Sequence, residues 1–106
     1  MSLGPRAEVW TLLVEVGRKP GDGLPKGATG AALLCYAAAA EEAEAVRETV
    51  KLLEAADLAP LEVTGQGGRA EREAAGEAID DAQGALMDRA LAENAVIVAL
   101  VEPFFD

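Results

Sequence analysis

Three segments of this chain are apolar at nearly every position, and they limit its possible folds more than any other feature. They are Val9–Val16, Ala31–Ala37 and Val96–Val101. Each has the length of a β-strand, and β-branched residues are frequent in the first and last of them. Together with the shorter alternating segment LEVT, they predict strands over residues 8–16, 31–37, 61–64 and 95–101.

Two other segments have the apolar spacing of helices. Residues 40–57 and about 70–93 carry apolar side chains at steps of three and four, with most acidic side chains elsewhere. The first stripe is Ala43, Val46, Val50 and Leu53, and the second is Ala75, Ile79, Ala82, Leu86 and Ala90. Residues 17–30 contain five glycines and two prolines and predict a long exposed loop.

The resulting order is strand, strand, helix, strand, helix, strand. Both strand-helix-strand steps are expected to be right-handed crossovers that move in one direction, which places both helices on the same face of the sheet. We therefore predict a single α+β domain over residues 1–106, a two-layer sandwich with a four-stranded mixed sheet and two helices on one face.

That arrangement leaves an apolar sheet face without a cover. Soluble monomers rarely expose apolar patches larger than a few hundred Å2, so a second copy of the chain is the expected cover. The sequence thus predicts a homodimer through the sheet face. Two alternatives stay open: the N-terminal segment and long loop fold over that face, or the helices lie one on each face.

The run LLCYAAAAEEAEAVRETVKLLEAADLAPLEV resembles the strand-helix-strand unit of small bacterial ferredoxin-like (α/β-plait) modules, without pointing to a named family. The family order is strand, helix, strand, strand, helix, strand, so the resemblance implies a ferredoxin-like fold or a variant of it. It also implies modules that often dimerise and bind small molecules in clefts, including amino-acid-sensing regulatory domains and cofactor-free dimeric barrels. It assigns no residue roles.

Composition excludes several classes of function. The chain has 19 acidic and 9 basic residues, and a net charge of -10 disfavours nucleic acid as a partner. Without histidine and with one cysteine, it cannot form a disulfide framework, a Cys/His zinc site or a histidine-based triad within one chain. No cofactor and no metal site are predicted.

The longest apolar stretch, Ala95–Val101, is far shorter than the roughly 20 residues of a membrane span, so no membrane partner is expected. Residues 1–16 lack the features of a secretory signal, so we expect a cytoplasmic bacterial protein.

The segment GQGGRAER follows a predicted strand and opens a predicted helix, where backbone N–H groups often bind anions. Its candidate anion-binding residues are Gly65, Gly67, Gly68, Arg69 and Arg72, and the alternative is a flexible connector. Trp10 and Tyr36 are candidate pocket or interface residues. Cys35, among apolar neighbours, is expected to be buried and inert.

These features favour a small acidic homodimeric module with a ligand-binding or regulatory role, rather than an enzyme. Two alternatives remain: a cofactor-free enzyme with a cleft between sheets, and an acidic protein-interaction domain. A pocket that holds Tyr36 and a carboxylate of raised pKa would favour the enzyme.

Overall fold

A computed structural model describes residues 7–105, so the predicted domain and its N-terminal segment extend beyond the described residues. The strands are β1 (Glu8–Gly17), β2 (Gly30–Ala39), β3 (Ala59–Gly68) and β4 (Val96–Phe104), and the helices are α1 (Glu42–Ala55), α2 (Arg69–Ala74) and α3 (Asp81–Glu93). No helix within this range is long and apolar enough to cross a membrane.

The four strands form one sheet in the order β3-β1-β2-β4, and all neighbouring strands are antiparallel. The predicted mixed sheet is therefore wrong. β2 and β3 do run parallel and are joined through α1, but β1 lies between them and pairs antiparallel with both. The parallel crossover expected from the sequence thus exists without creating a parallel pair of neighbours.

The helices lie on opposite faces of the sheet, so the prediction of two helices on one face is also wrong. Helix α1 buries Leu53 in a cluster with Leu12 and Leu33, whereas α3 buries Met87 in a cluster with Tyr36. Residues of one strand that differ by an odd number point to opposite faces, so Leu33 and Tyr36 mark the two faces of β2. The molecule has three layers rather than two.

The error comes from the second crossover. The segment containing α2 and α3 joins β3 to β4, which are the two edges of the sheet and run antiparallel to each other. The right-handed rule governs connections between parallel strands, so it does not place these helices. The element order, which starts with a hairpin, also differs from the β-α-β-β-α-β order of ferredoxin-like folds.

Helices on both faces explain why β1 and β2 are so apolar. Val9 and Tyr36 are buried on the α3 side, and Leu12 and Leu33 are buried on the α1 side. The cover on the α3 side is incomplete, however: Leu13, which continues that face of β1, is exposed. Counting only residues 7–105, the sheet therefore has one covered face and one half-covered face.

The predicted helix over 70–93 is two helices with a break between them. Gly76 has φ of 84°, a left-handed conformation that interrupts a helix. The Asp80 side chain then accepts a hydrogen bond of 2.7 Å from the Gln83 backbone N–H and caps α3. This break allows α2 to end over the sheet before α3 crosses it.

The third strand is longer than the predicted 61–64, because the glycines after Thr64 continue it instead of ending it. Gly65 pairs with Leu12 and Gly67 with Thr11, and two register shifts interrupt the pairing of β1 with β3. β3 is an edge strand. Its extension determines where α2 begins, directly after Gly68.

The loop between β1 and β2 is organised by one carboxylate. Asp22 accepts hydrogen bonds from the backbone N–H groups of Lys19 at 2.9 Å and Leu24 at 3.0 Å. It also pairs with the Arg18 guanidinium at 3.0 Å. These backbone hydrogen bonds, with the Arg18 charge, lower the pKa of Asp22 from 3.8 to about 2. The Arg18 side chain is thus engaged within the loop.

Asp22 is expected to titrate at about 2 in the folded chain, which carbon-detected NMR of its carboxyl measures. Because the folded-state pKa lies below the unfolded one, the stabilisation is present above pH 4 or so and is lost as pH falls towards about 2. Asp22→Asn should remove that pH dependence from urea unfolding curves. An Asp22 that titrates at its ordinary pKa would contradict the loop geometry.

Candidate functional site

A small cavity lies on the α3 side of the sheet, where the cover of α2 and α3 ends. Its volume is about 200 Å3. The sheet contributes its floor, α2 and α3 contribute one wall, and the open half of the sheet face adjoins it. The lining residues are Thr11, Leu13, Leu34, Tyr36, Gln66, Arg72, Glu77 and Gln83.

Strand register brings the floor residues together. Thr11 pairs with Tyr36, and Leu13 pairs with Leu34, so all four side chains lie on one face of two central strands. Arg72 reaches the same place because α2 starts immediately after β3, whose Gly67 pairs with Thr11. The cavity is thus a direct product of the hairpin register and of the position of α2.

Arg72 is the central polar group of the cavity. Its side chain is only 14% exposed. One terminal nitrogen donates to the Thr11 hydroxyl oxygen at 2.8 Å, and Nε donates to the Glu77 carboxylate at 3.2 Å. Of its five N–H groups, these are the two with hydrogen-bond partners among residues 7–105. The other three have no partner within that range.

Tyr36 is the second polar group. The residue is 1% exposed, and its hydroxyl has no hydrogen-bond partner among the described residues. Burial raises the pKa of Tyr36, and the Asp80 carboxylate raises it further, while the Arg72 charge opposes both. The hydroxyl is therefore protonated at neutral pH and can donate a hydrogen bond. Among residues 7–105, the fully buried side-chain oxygen without a partner is that of Thr49, so the Tyr36 hydroxyl keeps access to the cavity and can donate to a molecule there.

Two of the predicted anion-binding glycines, Gly65 and Gly67, line an adjoining open cleft of about 390 Å3 that Arg72 also lines, and carboxylates lie against them there. A Cβ atom on Gly65 would meet the Glu42 carboxylate, and one on Gly67 would meet that of Glu71. Glu71 also accepts from the Gly68 backbone N–H at 3.3 Å. The chain's own carboxylates thus occupy the places that an anion would take.

The two arginines of that segment separate. Arg69 pairs with Asp88 at 2.6 Å and joins α2 to α3, whereas Arg72 turns towards the sheet and lines the cavity. Of the five residues predicted to bind an anion, the structure places Arg72 alone in the cavity with Tyr36. The pairing of Arg72 with a tyrosine 36 positions earlier has no signal in the sequence.

Trp10 and Tyr36 lie on opposite faces of the sheet. Trp10 pairs with Ala37, packs against the α1 cluster, and donates through Nε1 to the Ala39 carbonyl at 3.1 Å. Cys35 is fully buried, and desolvation raises the pKa of its thiol to about 11. It is therefore protonated and inaccessible at neutral pH, as expected from its apolar neighbours.

Comparison with known proteins adds a family. A family model described as a domain of unknown function, DUF8846, matches residues 9–105. The chain belongs to the DUF8846 family. No curated protein and no solved structure matches the chain. The absence of a named family agrees with the sequence analysis.

Sequence reasoning missed four polar residues of the cavity in the DUF8846 domain, Thr11, Gln66, Glu77 and Gln83, as well as its two leucines. Thr11 had a signal in the sequence, because it is a polar residue inside a mostly apolar strand. The structure buries it, with 2% of the residue exposed. The other three lie on three different elements or connections, and only the break after Gly76 brings Glu77 beside Arg72. A single predicted helix over 70–93 conceals that contact.

A larger cleft of about 640 Å3 lies between α1 and the start of β4 in the DUF8846 domain. Its charged lining residues, Glu44, Glu48 and Lys51, are all exposed to water. A ligand there would compete with solvent for each of them, whereas Arg72 and Tyr36 are largely shielded. Within residues 7–105, no group of three or more acidic or cysteine side chains is placed to hold a metal ion.

Proposed function

We propose that this domain binds a small molecule in the cavity between Arg72 and Tyr36, and that it acts as a binding or regulatory module. The observation that carries the proposal is a pair of shielded donors, the Arg72 guanidinium and the Tyr36 hydroxyl, that face one cavity with N–H and O–H groups unused by residues 7–105. Ligand pockets typically combine apolar walls with a few convergent polar groups of this kind.

The alternative of a cofactor-free enzyme is less well supported. General base catalysis needs a group in the cavity that can accept a proton near neutral pH. Burial keeps Tyr36 protonated, and the Glu77 carboxylate already accepts from Arg72. Cys35 points to the opposite face, with its thiol protonated. The shielded polar groups of the cavity are thus donors that suit ligand binding, and its carboxylate, Glu77, is already engaged with Arg72.

The homodimer through the sheet face stays a prediction, as does the acidic protein-interaction domain. The argument for the dimer required a bare face, and α2 and α3 cover half of it. The open half presents an apolar row, Leu13, Leu34 and Leu100, beside Glu15 and Glu102. Like charges brought together by a two-fold axis would oppose pairing there. Sedimentation equilibrium of the intact chain measures the association directly.

We expect a thermal-shift screen of organic acids, amino acids, nucleotides and phosphate to find a ligand that stabilises the wild-type chain. A ligand at 100 times its dissociation constant stabilises a folded protein by about 2.7 kcal/mol. The ligand-induced shift should vanish in Arg72→Gln, because the shielded charge is removed. The affinity for the ligand should fall about tenfold in Tyr36→Phe, because this variant loses one hydrogen bond.

Arg89→Gln is the matched control, because Arg89 is an exposed arginine of α3 paired with Glu93 outside the cavity. It should respond to the ligand like the wild type. A ligand that shifts Arg72→Gln as strongly as the wild type, or a screen without any stabilising compound, would refute the proposed site.

A further inference from the structure

We propose that the ligand is a small aliphatic monocarboxylate, held by its carboxylate against Arg72 and Tyr36 with its apolar chain over Leu13 and Leu34. This inference rests on the proposed function and specifies the ligand class for the same cavity. Three features of the cavity carry it: donors at the polar end, a row of leucines next to them along the strands, and carboxylates beyond that row.

The polar end of the cavity presents hydrogen-bond donors, so a ligand there needs a hydrogen-bond acceptor. The Tyr36 hydroxyl is protonated and has no acceptor among the described residues. Two N–H groups of Arg72 are engaged by Thr11 and Glu77, which leaves three of the usual five as donors. A carboxylate accepts from both ends of such an arrangement and can bind a guanidinium through two parallel hydrogen bonds.

Glu77 does not cancel the charge that a carboxylate would meet. Its side chain is 50% exposed, so water screens it, while the Arg72 side chain is shielded. Attraction between opposite charges strengthens as the surroundings become less polar. A second carboxylate that binds inside the cavity would therefore interact with Arg72 more strongly than the exposed one does.

The apolar row indicates the chemical nature of the rest of the ligand. Leu13 pairs with Leu34 across β1 and β2, and Leu34 pairs with Leu100 across β2 and β4, so the three side chains form a row on the open half of the face. Neighbouring strands lie about 4.8 Å apart, so the row spans roughly 10 Å. With a cavity of about 200 Å3 beside it, this surface suits a short hydrocarbon chain.

The next row along the strands limits the ligand to one charge. Glu15 pairs with Glu62 on β3 and with Ala32 on β2, and Ala32 pairs with Glu102 on β4. These residues share the face of the leucine row and place three carboxylates just beyond it. The second carboxylate of a dicarboxylic acid would approach them and be repelled.

The test is a titration of 15N-labelled chain with isovalerate, its neutral amide isovaleramide, and the dicarboxylate glutarate, at neutral pH. We expect isovalerate to move the Thr11 and Leu34 amide signals and the Arg72 Nε–H signal, with at least about tenfold higher affinity than the other two compounds. Leu34→Ala should weaken isovalerate binding. Leu61→Ala, which alters an exposed leucine of β3 outside the cavity, should leave it unchanged.

The outcomes separate the two proposals. If isovaleramide binds as tightly and moves the same signals, the site stands and the carboxylate class is overturned. If glutarate binds more tightly than isovalerate, the restriction to one charge is overturned. Two results together would refute the proposed function itself. None of the three compounds moves these signals, and no compound of the thermal-shift screen stabilises the wild type more than it stabilises Arg72→Gln.

Discussion

Replacing Gly30 by alanine is expected to lower the free energy of unfolding by about 3 kcal/mol. Gly30 is buried at the start of β2, and a Cβ atom there would overlap the carbonyl oxygen of Val16 on the neighbouring strand. A backbone oxygen within a sheet cannot rotate away as a side chain can. Relief would require separating β1 from β2 beside the Val16–Ala31 pair, and the hydrogen-bonded pairing of the two strands opposes that movement.

Gly17→Ala is the matched control, since Gly17 lies beside Gly30 on β1. A Cβ atom there would meet only the Leu61 side chain, at 3.3 Å, and that side chain can move. We expect a change below about 1 kcal/mol in urea unfolding, because alanine also restricts the unfolded chain. Equal losses for the two variants would mean that the close approach of β1 and β2 is not what selects glycine at position 30.

Local signals in the sequence were sufficient to predict most of the elements. Apolar runs ended by glycine or by acidic residues and proline gave β1, β2 and β4 to within a few residues, and the three-and-four spacing before Pro60 gave α1. These elements depend on interactions within or next to themselves. The long third strand was missed because glycine usually interrupts strands, whereas here β1 supplies partners for Gly65, Gly67 and Gly68.

The arrangement of the elements could not be read in the same way. Apolar residues at nearly every position of β1 and β2 fit a sheet covered by helices on both faces as well as a sheet covered by a second copy. The deciding feature is the antiparallel relation between β3 and β4, which is a property of the whole sheet. Gly76 and Asp80 carried the information that the second helix is broken, but a glycine inside an alanine-rich pattern is also compatible with a weak continuous helix.

The candidate site was predictable only in part, for the same reason. Arg72 and Tyr36 were each singled out by residue type, and neither was expected near the other. Their proximity follows from the hairpin register, which places Tyr36 opposite Thr11, and from Arg72 reaching Thr11 out of α2. A cavity built from three strands, two helices and the connection between those helices has no pattern of spacing in the sequence that would reveal it.

Met87→Ala is expected to lower the free energy of unfolding by about 3 kcal/mol, within the 2–5 kcal/mol typical of a buried methionine truncated to alanine. Met87 is 0% exposed and packs with Val9, Tyr36 and Ala90 between α3 and the sheet. Its removal leaves a cavity that the small neighbouring Ala90 cannot fill. The loss of unfolding free energy measures how much the packing of α3 on this face contributes to stability. A two-layer arrangement would have left this face without a helix.

Leu91→Ala is the control on the same helix, because Leu91 is 44% exposed and lies outside this cluster. It should change the unfolding free energy by less than about 1 kcal/mol in the same urea titration. If the two variants lose equal stability, α3 does not pack through Met87 and the three-layer arrangement is wrong. Because Met87 packs in the cluster that holds the Tyr36 ring, the contact that covers the sheet also fixes one of the two groups proposed to bind the ligand.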